Sequence, residues 1–120
     1  MLSVELPPEP ASASRARQLA RERLRVVCAP DVLDTVALLV AELVTNAILH
    51  ARTPLQLEIE AHPDRIRLCV EDASLRLPEV HRYDTDAVTG RGLALVEQLA
   101  TSWGVETSPS GKVVWCEIAL

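Results

Sequence analysis

Three polar residues recur at four-residue intervals in an otherwise apolar stretch of the sequence. Glu42, Asn46 and His50 lie in the segment 33–50, whose other residues are mostly leucine, valine, isoleucine and alanine. In a helix, at about 100° per residue, the three side chains fall within roughly 80° of one another. Charged and polar groups on a largely buried helix usually have a partner or a task. Glu42 suits a general base and Asn46 a ligand for a hard cation, whereas His50 is expected to stabilise the helix end.

A further carboxylate is predicted to face the core from a strand. Ile66, Leu68 and Val70 alternate with polar residues, and the same parity places Asp72 on the buried face. A buried carboxylate is costly without a hydrogen-bond donor. The exocyclic amine of a nucleobase would be a suitable donor for it.

Two of the four glycines flank one arginine in the segment Gly90-Arg91-Gly92, which is expected to open a helix. Backbone N–H groups at a helix start suit phosphate oxygens. The preceding stretch 73–89 has no periodicity, and a loop of that length is more often functional than idle, so it is read as a lid. With Asn46 as a single protein ligand for Mg²⁺, these features predict a site for Mg-ATP.

The hydrophobic pattern predicts the elements that must position this site. They are an edge strand over 2–6, a helix over 14–27, a helix from Pro30 to about Ala51 with Asp31 as N-cap, strands over 55–61 and 66–72, a helix over 90–100, and a hairpin over 103–107 and 112–119. Hairpins do not build a doubly wound parallel sheet. We therefore expect an α+β fold, a two-layer α/β sandwich whose mixed, mostly antiparallel sheet is covered on one face by three helices.

Composition limits the classes of protein to be considered. A chain of 120 residues with 48% hydrophobic residues is expected to be one domain over 1–120. The net charge of −5 and the few aromatic residues count against nucleic-acid binding, although five arginines crowd the first predicted helix. That charge run is read as a solvated face, with a docking surface for an acidic protein as the alternative.

Two further features bear on the compartment. No signal sequence opens the chain and no apolar run approaches the length of a membrane span, so a cytoplasmic protein that does not enter a membrane is expected. Cys28, Cys69 and Cys116 are odd in number and lie in apolar patterns, which favours reduced core thiols over disulfides or a metal site.

Four sequence boxes resemble those of the Bergerat-fold (GHKL) ATP-binding domains in order and spacing. They are Glu42-Leu-Val-Thr-Asn46-Ala with His50, Val70-Glu-Asp72-Ala-Ser74, Gly90-Arg91-Gly92-Leu93-Ala-Leu-Val96, and Gly111-Lys-Val-Val-Trp115. The resemblance covers nearly the whole chain. Among such domains, the chain is similar in size to the small anti-sigma-factor serine/threonine kinases.

The resemblance implies a role for several residues. Glu42 would be the general base, Asn46 the Mg²⁺ ligand and Asp72 the reader of the adenine amino group. ATP would also be bound by Ser74 and by the segment from Gly90 to Leu93. The implied reaction transfers the γ-phosphoryl group of Mg-ATP to a serine or threonine of an antagonist protein. A sigma factor is implied as the second partner, and a homodimer is expected on the same ground.

Departures from the family pattern leave an alternative function open. The box that begins at Asp72 usually continues with glycines, whereas this chain has Ala73 and Ser74, and Val113 stands where many relatives have a threonine. A non-catalytic module that switches protein partners is therefore the alternative to a kinase. A third idea, the ATPase domain of a histidine kinase, would need a dimerisation helix with a phosphoacceptor histidine, which the sequence does not contain ahead of this domain.

Overall fold

The computed structural model describes the backbone of residues 1–74 and 87–120, and the side chains of 1–74 and 93–120. Its elements are β1 (Leu2–Leu6), α1 (Ala11–Leu24), α2 (Pro30–Ala51), β2 (Leu55–Ala61), β3 (Arg65–Asp72), α3 (Ala87–Leu99), β4 (Ser102–Ser108) and β5 (Gly111–Ala119). The predicted lid over 73–89 lies mostly outside the described residues.

The five strands form one sheet in the order β1-β2-β3-β5-β4, and every pairing is antiparallel. The two-layer sandwich of three helices on a sheet is thus confirmed. The sheet was expected to be mixed and mostly antiparallel, whereas every pair of neighbouring strands described here is antiparallel.

The core lies between the sheet and the helices, with α2 at its centre. Leu57, Leu68 and Val70 from the sheet and Leu39 and Leu43 from α2 are all at most 1% exposed. Over its 22 residues α2 is apolar and long enough to cross a membrane by composition alone, contrary to the expectation from the sequence. Its apolar side chains instead pack against the sheet and the other helices of this domain.

The observed helix ends differ from the predicted ones in all three helices. The N-cap of α2 is Ala29 rather than Asp31, because Pro30 takes the first helical position, where its fixed φ is favourable. Helix α1 begins and ends three residues before its predicted bounds. Helix α3 begins at Ala87, so the predicted start at Gly90 is three residues late.

The arginines of α1 make local contacts on the exposed surface. Arg21 pairs with Asp34 of α2 at 2.9 Å, and Arg23 donates to the carbonyl oxygen of Met1 at 3.1 Å. These contacts agree with a solvated face that also ties α1 to its neighbours. A protein partner for this surface stays a prediction.

Candidate nucleotide site

The central residue of the site on α2 is Asn46, which is 3% exposed. Its side-chain oxygen Oδ1 is buried and has no hydrogen-bond partner among the residues that the structure describes. Leaving such a group unsatisfied costs about 1–3 kcal/mol, so a buried orphan oxygen calls for an explanation. Glu42 lies one turn earlier and is half-buried. The predicted pair therefore lies on a buried strip of α2, with a carbonyl-type oxygen available to a hard cation.

His50 lies in the last turn of α2, at the helix end where it was expected. Its Nε2 atom is buried and makes no hydrogen bond within the described part of the chain, so no bond from that atom to a carbonyl group is found. Helix α2 is terminated by Arg52, whose φ of 55° and ψ of 27° are left-handed.

The end of β3 carries the second half of the site. Asp72 is 4% exposed and lies in register with Lys112 of β5, on the helix side of the sheet, as its parity predicted. Its Oδ1 accepts hydrogen bonds from the backbone N–H of Ser74 at 2.8 Å and from Nζ of Lys112 at 3.0 Å. Its Oδ2 is also 3.0 Å from that Nζ, yet makes no hydrogen bond of acceptable geometry to a described residue.

Lys112 is a site residue that the sequence reading missed. The residue is 2% exposed, and its inward orientation follows from the alternation of Val114, Cys116 and Ile118 along the same strand. Counting back by twos from Ile118 places Lys112 on the core face. That signal was present in the sequence, but lysine is so rarely buried that it was passed over.

A close approach of two backbones brings this ion pair together. Gly111 has a φ of 153°, and a Cβ atom there would overlap the carbonyl oxygen of Asp72 and lie 2.9 Å from Cα of Ala73. Only glycine fits such a position without a shift of the backbone. Gly111 therefore allows β5 to start directly beside the end of β3.

The two halves of the site are linked by a hydrogen bond between loops. The backbone N–H of Ala73 donates to Oγ1 of Thr53 at 3.1 Å. Since Thr53 comes after Arg52, the C-cap of α2, this bond joins the chain after α2 to the chain after Asp72. Thr53 was not singled out from the sequence, because a single hydroxyl in a short loop carries no pattern.

The segment Gly90-Arg91-Gly92, predicted to bind phosphate, lies differently in α3 than was expected. Gly90, Arg91 and Gly92 lie within α3 and do not open it. Their contact with phosphate oxygens stays a prediction. Leu93 is 1% exposed and belongs to the core.

An open pocket of about 300 Å³ lies at the same end of the sheet. It is lined by Glu5, Pro54, Leu55, Gln56, Glu71, Asp72, Ala73 and Ser110. Two of its carboxylates, Glu5 and Glu71, would repel a triphosphate. The phosphates of a nucleotide are therefore expected on the side of α2, not in this pocket.

The sequence matches the model of the family described as the histidine kinase-like ATPase domain over residues 6–118. The chain belongs to this family. The resemblance to Bergerat-fold (GHKL) ATP-binding domains is thereby confirmed, and the four boxes lie within the matched range. No curated protein matches the sequence.

Solved structures of histidine kinases share the fold of this ATPase domain. The histidine kinase domain of the blue-light activated histidine kinase from Erythrobacter litoralis EL346 is 21% identical, with a TM-score of 0.58 over 96% of this chain and 62% of that one. A longer chain of the same kinase is 20% identical, with a TM-score of 0.60 over 92% of this chain and 41% of that one. The catalytic domain of histidine kinase ThkA is 20% identical, with a TM-score of 0.57 over 99% of this chain and 96% of that one.

The chain thus spans less than two thirds of the Erythrobacter kinase chains, and identities near 20% establish the fold alone. The buried orphan oxygens fit the nucleotide of an ATPase domain. Oδ1 of Asn46 suits Mg²⁺, and Oδ2 of Asp72 suits an amino group. Among the described residues no group of three or more His, Cys, Asp or Glu side chains could hold a metal, so phosphate oxygens and water would have to complete the shell of a cation at Asn46.

Proposed function

We propose that this ATPase-family domain is a protein serine/threonine kinase of the anti-sigma-factor type. It transfers the γ-phosphoryl group of Mg-ATP to a serine or threonine of an antagonist protein, and it sequesters a sigma factor or a similar regulator. The observation that carries the proposal is the strip on α2, in which the orphan oxygen of Asn46 lies one turn after the half-buried carboxylate of Glu42.

The proposed chemistry divides between these two residues. Mg-ATP supplies an electrophilic phosphoryl group whose negative charge the cation offsets. Asn46 would hold the cation through Oδ1. Because the amide is neutral, it can act as a ligand without losing a proton. Glu42 accepts the proton of the attacking hydroxyl group, and its place one turn away on a rigid helix fixes the distance between base and cation ligand. Asp72 binds the base at the other end of the nucleotide.

The partners are proposed from the distribution of charge on the surface. The arginines of α1 form an exposed basic face on a chain of net charge −5, and such a face attracts an acidic partner protein. Neither nucleic acid nor a membrane is proposed as a partner. A homodimer and a cytoplasmic location complete the proposal.

The kinase proposal is tested by phosphoryl transfer from γ-labelled Mg-ATP to a cognate antagonist protein. Glu42→Gln removes the base but keeps the shape of the side chain, so transfer is expected to fall about 100-fold or more while ATP affinity changes little. Glu106→Gln, at an exposed position of β4, is the matched control and should transfer at the wild-type rate. Equal transfer by wild type and Glu42→Gln would exclude Glu42 as the base.

The alternative is a non-catalytic module that switches protein partners. It is favoured by Ala73 and Ser74 in place of glycines and by Val113 in place of threonine. Calorimetric titration with Mg-ATP separates the two functions in part. If wild type binds Mg-ATP, Asp72→Asn abolishes this binding and no antagonist protein is phosphorylated, the result favours a non-catalytic module that binds the nucleotide. If wild type gives no heat of binding, ATP binding is excluded for both functions.

A further inference from the structure

The only lysine of the chain is buried beside the carboxylate that is proposed to read the base. The side chains of Lys112 and Asp72 are each 1% exposed. Nζ of Lys112 lies 3.0 Å from both oxygens of Asp72. Lysine is almost never fully buried unless it is paired, so this ion pair is a built feature of the site.

Stability alone is a poor reason for such a pair. Taking both charges out of water costs several kcal/mol per ion, and well-packed apolar residues in place of a buried pair are often as stable or more so. The pair therefore calls for a second role. Its geometry indicates one, because it uses the two oxygens of Asp72 unequally.

Oδ1 of Asp72 is held by two donors, the backbone N–H of Ser74 and the ammonium group of Lys112. Two donors on one oxygen fix the rotation of the carboxylate. Oδ2 is buried and accepts no hydrogen bond from the described residues. The acceptor that remains is therefore presented in a single orientation.

We propose that Lys112 is a positioning residue for base recognition, which holds the Asp72 carboxylate so that Oδ2 accepts the 6-amino group of a purine. This inference rests on the proposed binding of ATP. A 6-oxo purine would place its own acceptor oxygen opposite Oδ2, and two acceptors face to face repel each other. Lys112 thus sets the preference for 6-amino over 6-oxo purine nucleotides, although its proposed contact is with Asp72 and not with the base.

The test compares the binding of Mg-ATP and Mg-ITP, whose bases differ at position 6 as amino and oxo groups. Wild type should bind ATP at least about tenfold more tightly than ITP, the discrimination expected when a site hydrogen-bonds a group that the analogue lacks. In Lys112→Met the carboxylate loses one of its two fixed donors, so the ratio should fall severalfold toward one. Lys112→Gln keeps a donor and should retain part of the ratio.

A double-mutant cycle shows whether Lys112 acts through Asp72. In the Asp72→Asn background, Lys112→Met should leave the ATP to ITP ratio unchanged, because the acceptor that it orients is already altered. Arg67→Met is the matched control, since Arg67 is a cation on β3, the strand of Asp72, and pairs with Glu117 on the outer face of the sheet. It should keep the wild-type ratio. Melting curves of all variants confirm that the compared proteins are folded.

The outcomes separate the two proposals. If Lys112→Met keeps the wild-type ratio, or weakens ATP and ITP by the same factor, Lys112 is only structural and the inference is wrong. A wild type that binds both nucleotides equally also overturns it. If the folded wild type binds neither nucleotide, the proposed function is overturned as well. A changed or unchanged ratio in the variants bears only on the role of Lys112.

Discussion

The two faces of the sheet treat polar side chains in opposite ways. On the outer face, Glu117 accepts hydrogen bonds from Arg65 and Arg67 at 3.2 Å each, and the guanidinium of Arg67 lies 4.6 Å from the ring centre of Trp115. On the helix side, Asn46 and Asp72 each keep one buried oxygen that accepts no hydrogen bond from the described residues, although the ammonium group of Lys112 lies 3.0 Å from that of Asp72.

This difference separates structure from function. Polar groups on the outer face are partly exposed and satisfy one another, which is what a stabilising network does. On the buried side, an unsatisfied oxygen such as Oδ1 of Asn46 costs about 1–3 kcal/mol. That cost is explained if a bound ligand supplies the cation for Asn46 and a hydrogen-bond donor for Asp72. Substitutions on the two faces should therefore separate stability from binding.

The largest expected effect comes from Gly111→Ala, which breaks the contact between β3 and β5. The new Cβ would overlap the backbone at Asp72, which has no flexible end to move aside, and the φ of 153° disfavours a side chain. We expect a loss of about 3 kcal/mol or more in the free energy of unfolding, measured by urea denaturation, together with a loss of Mg-ATP binding.

Gly104→Ala on the outer face is the matched control for this prediction. There the added Cβ would lie 2.9 Å from the ring of Trp115, a side chain that is able to shift toward solvent. A cost below about 1 kcal/mol is expected. Equal losses for the two glycines would contradict the view that Gly111 is held by backbone contact.

The second prediction concerns the orphan oxygen of α2. Asn46→Leu replaces an unsatisfied buried oxygen by an apolar group of similar size, so the free energy of unfolding should stay the same or rise by up to about 1 kcal/mol. Mg-ATP affinity should fall at least about tenfold. Calorimetry and denaturation on the same preparation measure both quantities. A stability loss as large as the binding loss would mean that Asn46 is structural.

Several features of the helix side of the sheet were predicted correctly from the sequence. Alternation placed β2 at its observed bounds and turned Asp72 inward, and the interval of four residues placed Glu42 and Asn46 on one strip. These predictions rest on periodicity, which depends only on which residues are apolar.

The features that the sequence did not predict were missed for separate reasons. The start of α3 was misplaced because glycine was read as a helix boundary, although the helix runs through Gly90 and Gly92. Lys112 was missed because its burial is offset by a single partner 40 residues earlier. Thr53 was missed because its hydroxyl acts on Ala73, which the strands bring to it only in the folded chain.

The third prediction is a modest pH effect on the outer face. Burial alone would raise the pKa of Glu117, but hydrogen bonds from Arg67 and Arg65, together with their charges, hold it below its usual value. A carboxyl group with a lowered pKa in the folded state stabilises the protein above its unfolded pKa, and that stability is lost as the pH falls through the folded value.

Wild type should therefore exceed Glu117→Gln in stability by up to about 1 kcal/mol above roughly pH 5, with the difference vanishing at lower pH. Urea denaturation at pH 7 and at pH 3 measures it. ATP affinity at pH 7 should be the same in both proteins, since Glu117 lies on the face away from the site. A difference in stability that persists at pH 3 would mean that packing, not charge, is responsible.

The last prediction concerns the reactivity of the cysteine thiols, which differs between the two faces of the sheet. Cys69 on the outer face is 7% exposed, Cys116 on the helix side is fully buried, and Cys28 after α1 is half-buried. Burial raises the pKa of all three thiols, that of Cys116 to about 12, so at pH 8 only about one Cys116 thiol in 10⁴ is ionised. Iodoacetamide followed by peptide mass spectrometry should modify Cys28 first, Cys69 more slowly and Cys116 only on unfolding. Modification of Cys116 as fast as that of Cys69 would show that the helix layer opens as readily as the outer face.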